Sequence, residues 1–235
     1  MGTAIGNRLG DVMLESFDNR GPIPGLAAQP LVSLQVALEK LDIPEKDYYL
    51  NTATFTIFGA HGLSDDEARA IFLYSCEWKP REQSLYFQLN DALRNRDRSK
   101  IDPFLPFIKL LNTAVVKLLI PVPQILWRGV ALDLTDLYKD KIGRTIVFWG
   151  FTSTTKNMHA LDEFIDPNAP HRTLFSITAK FAADLNAFSA FSGEAEMLIG
   201  AGTVLKVVNV KRMAANLTIV ELSEATNLLG IAPPS

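Results

Sequence analysis

A chain of 235 residues, 48% hydrophobic and 21% charged, has the composition of a globular domain large enough to bury its own core. Its formal net charge of -3 lacks the basic excess on which nucleic-acid binding depends, so no nucleic-acid partner is expected. The single cysteine, Cys76, excludes an intramolecular disulfide framework, and the longest apolar stretch, near 114–122, is broken by Lys117 and Pro121, so no membrane insertion is expected.

No charged segment followed by an apolar run opens the chain, which makes the cytoplasm the default location and leaves a secreted or delivered, toxin-like form open. Residues 1–28, with Gly21, Pro22, Pro24 and Gly25, read as an N-terminal arm. Residues 29–120 read as a helical lobe. Leu31, Leu34, Leu38 and Leu41 make one apolar stripe closed by Pro44. Ser64 followed by Glu67 is a capping box opening a second helix through Ala68, Ile71, Phe72 and Ser75. Leu85, Leu89 and Leu93 mark a third helix, which runs into the charged stretch 94–100. Residues 103–119 make a fourth, with Phe107, Leu110, Leu111, Ala114 and Leu118 on one side.

The pattern changes at Pro121. Residues 121–235 read as a β-rich core, with short strands predicted at 125–130, 145–154, 173–179, 196–199, 203–210 and 217–222, separated by glycines and prolines. Helices first and strands after is an α+β arrangement, here taken as one integrated domain.

Three local features lie in the strand half. Trp127-Arg128-Gly129 ends the first strand, Phe151-Thr152-Ser153-Thr154-Thr155 ends the second, and Phe191-Ser192-Gly193-Glu194-Ala195-Glu196 leads into the fourth. An arginine on a buried strand suits a carboxylate or phosphate, although alone it is better explained by an internal salt bridge. The hydroxyl run alone is ordinary β-strand composition. Glu194 and Glu196 say more, because residues two apart in an extended segment share a face and two like charges there need a reason. His61, His159 and His171 lack metal-ligand spacing, so no metal is expected. Phe148, Trp149 and Phe151 read as core residues of a strand rather than as a stacking platform.

Taken in order, the arginine, the hydroxyl triplet and Glu-x-Glu resemble the signature of the arginine-specific branch of the mono-ADP-ribosyltransferases, a group of vertebrate ecto-enzymes and bacterial toxins. The resemblance covers 121–222, and the helical stretch 63–119 is similar to the region preceding the core in eukaryotic-type members. The third position of the triplet is Thr155 where the family has serine; the hydroxyl is kept. The resemblance implies two roughly perpendicular antiparallel sheets with NAD⁺ as co-substrate in the cleft between them, no metal, and a partner protein presenting an arginine. Arg128 would pair with a phosphate of NAD⁺, and Gly129 would approach the carboxamide. Ser153 would hold Glu196, Thr154 and Thr155 would shape the nicotinamide pocket, and Glu196 would bond the ribose 2′-hydroxyl. Glu194 and Phe191 would face the acceptor, and glutamate at 194 argues for arginine rather than asparagine. Two other functions share these residues: an NAD⁺ glycohydrolase, and a catalytically silent NAD-binding or docking module.

Overall fold

The computed structural model of the chain describes residues 20–52, 60–122, 125–158, 161, 169–189 and 196–230. The helices are α1 (Leu34–Leu38), α2 (Lys46–Thr52), α3 (Asp65–Ser75), α4 (Leu85–Arg94), α5 (Leu105–Lys117) and α6 (Thr135–Lys139), and all but the short α6 precede the strands. Ser33 caps α1 through Val36 N–H, and the helix stops at Leu38 although the apolar stripe continues to the buried Leu41. The Lys46 ammonium explains the stop. It donates to the carbonyls of Leu38 and Leu41 at 3.0 and 3.1 Å, satisfying groups that a longer helix would bond internally.

The capping box of α3 forms as its sequence requires. The Ser64 hydroxyl accepts from Glu67 N–H at 3.3 Å, and Glu67 Oε2 accepts from Ser64 N–H at 2.7 Å. Glu67 is buried, and Lys117 at the end of α5 donates to the same carboxylate oxygen at 2.7 Å. One side chain thus caps a helix and ties it to its neighbour. No helix among the described residues is long and apolar enough to cross a membrane.

Among the described residues there are nine strands: β1 (Leu119–Pro121), β2 (Leu126–Val130), β3 (Thr145–Phe148), β4 (Thr152–Thr155), β5 (Arg172–Thr178), β6 (Phe181–Asp184), β7 (Glu196–Ile199), β8 (Thr203–Ala214) and β9 (Leu217–Asn227). The α+β order is as expected. The strands, however, form one hydrogen-bonded order, β1-β6-β7-β4-β2-β5-β9-β8-β3, rather than two separate sheets, and β5 runs parallel to β9. The two halves meet at β2 and β4 through a single register pair, Trp127 with Thr155.

Burial explains how the halves stack. One apolar cluster joins α1, α3, α4 and α5 to Phe151, Ala183 of β6 and Leu198 of β7. A second joins Leu126, Phe175, Leu205 and Val220 to Ala182 of β6 and to Met197 and Ile199 of β7. Alternate residues of β6 and β7 therefore face different cores, as the two-residue period of a strand dictates. That half of the sheet is the middle layer between the helices and the remaining strands.

The strand expected over 145–154 is two strands. β3 pairs with β8 at one edge of the order, while β4 lies in the other half, where it pairs with β7 and meets β2 across the junction. The chain crosses between them at Trp149-Gly150-Phe151. Phe148, Trp149 and Phe151 are all buried, but in three different clusters, so they serve three separate contacts and form no platform.

Candidate active site

β4 and β7 run antiparallel with Thr155 opposite Glu196 and Ser153 opposite Leu198. Side chains directly opposite share a face, and so do residues two apart, which puts Ser153 and Glu196 diagonally across one face. Leu198 belongs to the helical core, so that face looks toward the helices. The Ser153 hydroxyl donates to Glu196 Oε1 at 2.6 Å, the length of a charge-assisted O–H···O bond. Ser189, in the turn after β6, donates to Glu196 Oε2 at 3.5 Å. Glu196 is 1% exposed, so its carboxylate is held inside the protein by hydroxyls.

β2 lies on the other side of β4. Arg128, 6% exposed, donates from Nη1 to the Ser153 carbonyl at 3.2 Å. Ser153 therefore touches the guanidinium with its backbone and the carboxylate with its side chain. The arginine, the hydroxyl and the acid come from strands that are distant in sequence and adjacent in the order β7-β4-β2. Arg128 and Ser153 line one small cavity with Tyr74 of α3, Tyr86, Asn90 and Arg94 of α4, and Phe151, at the seam between helices and sheet.

Gly129 follows Arg128 in β2, paired with Leu174 of β5. Thr154 points to the opposite face from Ser153, and its hydroxyl donates to the Met197 carbonyl at 2.6 Å. The Thr155 hydroxyl accepts from Asn157 N–H at 3.1 Å, which fixes the chain as it leaves β4. Glu194 and Phe191 lie outside the described residues. Among the described residues no group of three His, Cys, Asp or Glu side chains stands together to hold a metal.

Tyr74, Tyr86, Asn90, Arg94 and Ser189 were given no role at the site by the sequence reading. Asn90 left a signal: it is a polar residue at core-facing spacing within Tyr86, Leu89, Asn90 and Leu93. Ser189 left none, being one hydroxyl in an irregular turn.

One family, NAD:arginine ADP-ribosyltransferase, matches residues 41–227 of the chain, a span that takes in α2 to α5, Arg128, Ser153 and Glu196 alike. The chain belongs to this family. No curated protein matches it by sequence, so the family match and the shared fold carry the assignment. Among solved structures, this family member is similar to the ADP-ribosyltransferase HopU1 of Pseudomonas syringae pv. Tomato, with 20% identity, 85% of this chain and 90% of that one covered, and a TM-score of 0.59. It is similar also to the Vis toxin, an ADP-ribosyltransferase of Vibrio splendidus, at 20% identity over 91% of this chain and 100% of that one, with a TM-score of 0.55. An ADP-ribosyltransferase of Clostridium botulinum shares the fold at 17% identity, with 78% of this chain and 96% of that one covered and a TM-score of 0.52. At these identities the likeness is one of fold.

Proposed function

We propose that the chain transfers ADP-ribose from NAD⁺ to an arginine side chain of a protein and releases nicotinamide. The observation that carries this reading is the contact of Ser153 with both Glu196 and Arg128 in one buried place. Breaking the glycosidic bond sends its electron pair to the nicotinamide nitrogen and leaves positive charge on the ribose. A carboxylate already fixed in position stabilises that charge without having to reorganise. Glu196 is such a group, and it would bond the ribose 2′-hydroxyl. Nicotinamide leaves as a neutral molecule because it carries positive charge in NAD⁺, so its departure needs no Lewis acid.

Arg128 would hold a phosphate of NAD⁺, with Gly129 letting the backbone approach the carboxamide. Thr155 would shape the nicotinamide pocket together with Thr154, the latter through its backbone since its hydroxyl is bonded to Met197. Glu194 would orient the incoming guanidinium and take the proton that it loses on attack, and Phe191 would touch the target protein. Arginine as acceptor is supported by the family's description and by the Vis transferase, which was solved in complex with agmatine, a small guanidinium compound.

Purified protein incubated with NAD⁺ labelled in the adenylate, with agmatine present, should release nicotinamide and place label on agmatine. Label recovered only as free ADP-ribose would make the chain a glycohydrolase. Intact NAD⁺ after incubation would make it a silent binding module.

A further inference from the structure

We propose that Asn90 is a positioning residue for this reaction: from α4 it grips the backbone of Phe151 and so sets where Ser153 and Glu196 stand. The inference rests on the transferase reading. Asn90 sits in the interior of α4, where asparagine is a poor helix former, and it is 4% exposed. A carboxamide buried there is costly unless it is bonded. Asn90 Oδ1 accepts from Phe151 N–H at 2.9 Å, and Nδ2 donates to the Phe151 carbonyl at 3.2 Å and to the Tyr74 hydroxyl at 3.2 Å.

Bonding both the N–H and the C=O of one residue is what a neighbouring strand does for its hydrogen-bonded partner. Asn90 supplies that pairing where the chain has left β8 and has not yet joined β7. Gly150 shows how close the approach is. A Cβ there would meet Arg94 Nη2 at 2.7 Å and Asn90 Oδ1 at 2.9 Å, so a residue larger than glycine would force these two side chains to shift. Phe151 stands two residues before Ser153, on the same parity of the strand, and any shift of its backbone reaches the 2.6 Å contact with Glu196. Reacting groups misplaced by about 1 Å cost about a hundredfold in rate. The helical lobe, through one amide, therefore fixes the geometry of a carboxylate carried by the sheet.

The test compares Asn90→Ala, Asn90→Asp and Asn90→Gln with Ser64→Ala, which removes a helix cap remote from the site. NAD⁺ turnover with agmatine gives kcat and KM, and hydrogen exchange reads the amides of 151–155. All three Asn90 variants should lose at least about tenfold in kcat with little change in KM, and exchange faster at Phe151 and Ser153. Ser64→Ala, which loses only a helix cap, should keep its kcat. Asn90→Gln, which keeps both polar groups but moves them by one methylene, carries the test if the alanine variant does not fold. Wild-type kcat in any folded Asn90 variant, or an equal kcat loss in Ser64→Ala, would overturn the proposal. A wild-type protein that leaves NAD⁺ intact would instead overturn the transferase reading on which it rests.

Discussion

At Glu196 the protein buries a carboxylate, and the hydroxyls of Ser153 and Ser189 bond its two oxygens. Hydroxyls that fix a carboxylate in place hold it ready for the positive charge that develops in the transition state. Replacing Glu196 with Gln keeps the size and the contact with Ser153 but removes the charge. Nicotinamide release should fall by about 100- to 1000-fold, the range for losing one preorganised electrostatic contact, with the thermal midpoint little changed. Unaltered nicotinamide release would remove Glu196 from the chemistry. Glu194 offers the complementary experiment. Under the proposed roles, Glu194→Gln should abolish label on agmatine while much of the NAD⁺ cleavage persists, because only the acceptor step uses that side chain. Equal loss of both activities would take Glu194 out of the acceptor role.

Among the connecting elements, α6 is fixed by its first turn. Asp133 accepts from Thr135 N–H at 3.0 Å and from the Thr135 hydroxyl, and Arg212 of β8 donates to its other oxygen at 2.6 Å. Bonds to Thr135 first, and then to Arg212, lower the Asp133 pKa to about 2. A carboxylate whose pKa is lowered on folding contributes stability above its ordinary value near 3.8, and that contribution is lost as the pH falls toward 2. The thermal midpoints of wild type and Asp133→Asn should therefore differ at pH 7 and converge between about pH 4 and pH 2. A constant gap down to pH 2 would show that the aspartate matters for shape rather than charge. Elements fixed by local chemistry of this kind are the ones a sequence displays. The capping box placed the start of α3, and the apolar run after Glu196 placed β7. β6 was invisible because Phe-Ala-Ala-Asp has little strand character and is made a strand by β1 and β7 on either side. α2, with no buried residue, shows no apolar face to read. At the site, Arg128, Ser153 and Glu196 were legible as residue types at strand ends. Their adjacency came only from the family resemblance, which had Ser153 holding Glu196; composition and spacing do not show it, because it depends on β4 lying between β2 and β7.

On the scale of the whole molecule, the site lies where three layers meet: the helices, the β1-β6-β7-β4 half of the sheet, and the β2-β5-β9-β8-β3 half. The halves join through one register pair beside Arg128, and the helices hold the chain through Asn90 at Phe151, just before β4. A dinucleotide seated there would contact all three layers, so its binding energy would oppose their separation and register as global stability. Ligand at 100 times its Kd adds about 2.7 kcal/mol, which for a domain of this size raises the thermal midpoint by roughly 5–10 °C. NAD⁺ should produce that shift in the Glu196→Gln protein, where turnover does not consume it during the scan. Arg128→Lys introduced into the Glu196→Gln protein should show a smaller one, since an ammonium cannot match the two-pronged fit of guanidinium to phosphate. A full shift in Arg128→Lys would place the phosphates elsewhere. No shift in Glu196→Gln at millimolar NAD⁺ would mean that the meeting of the three layers is a structural joint rather than a binding site.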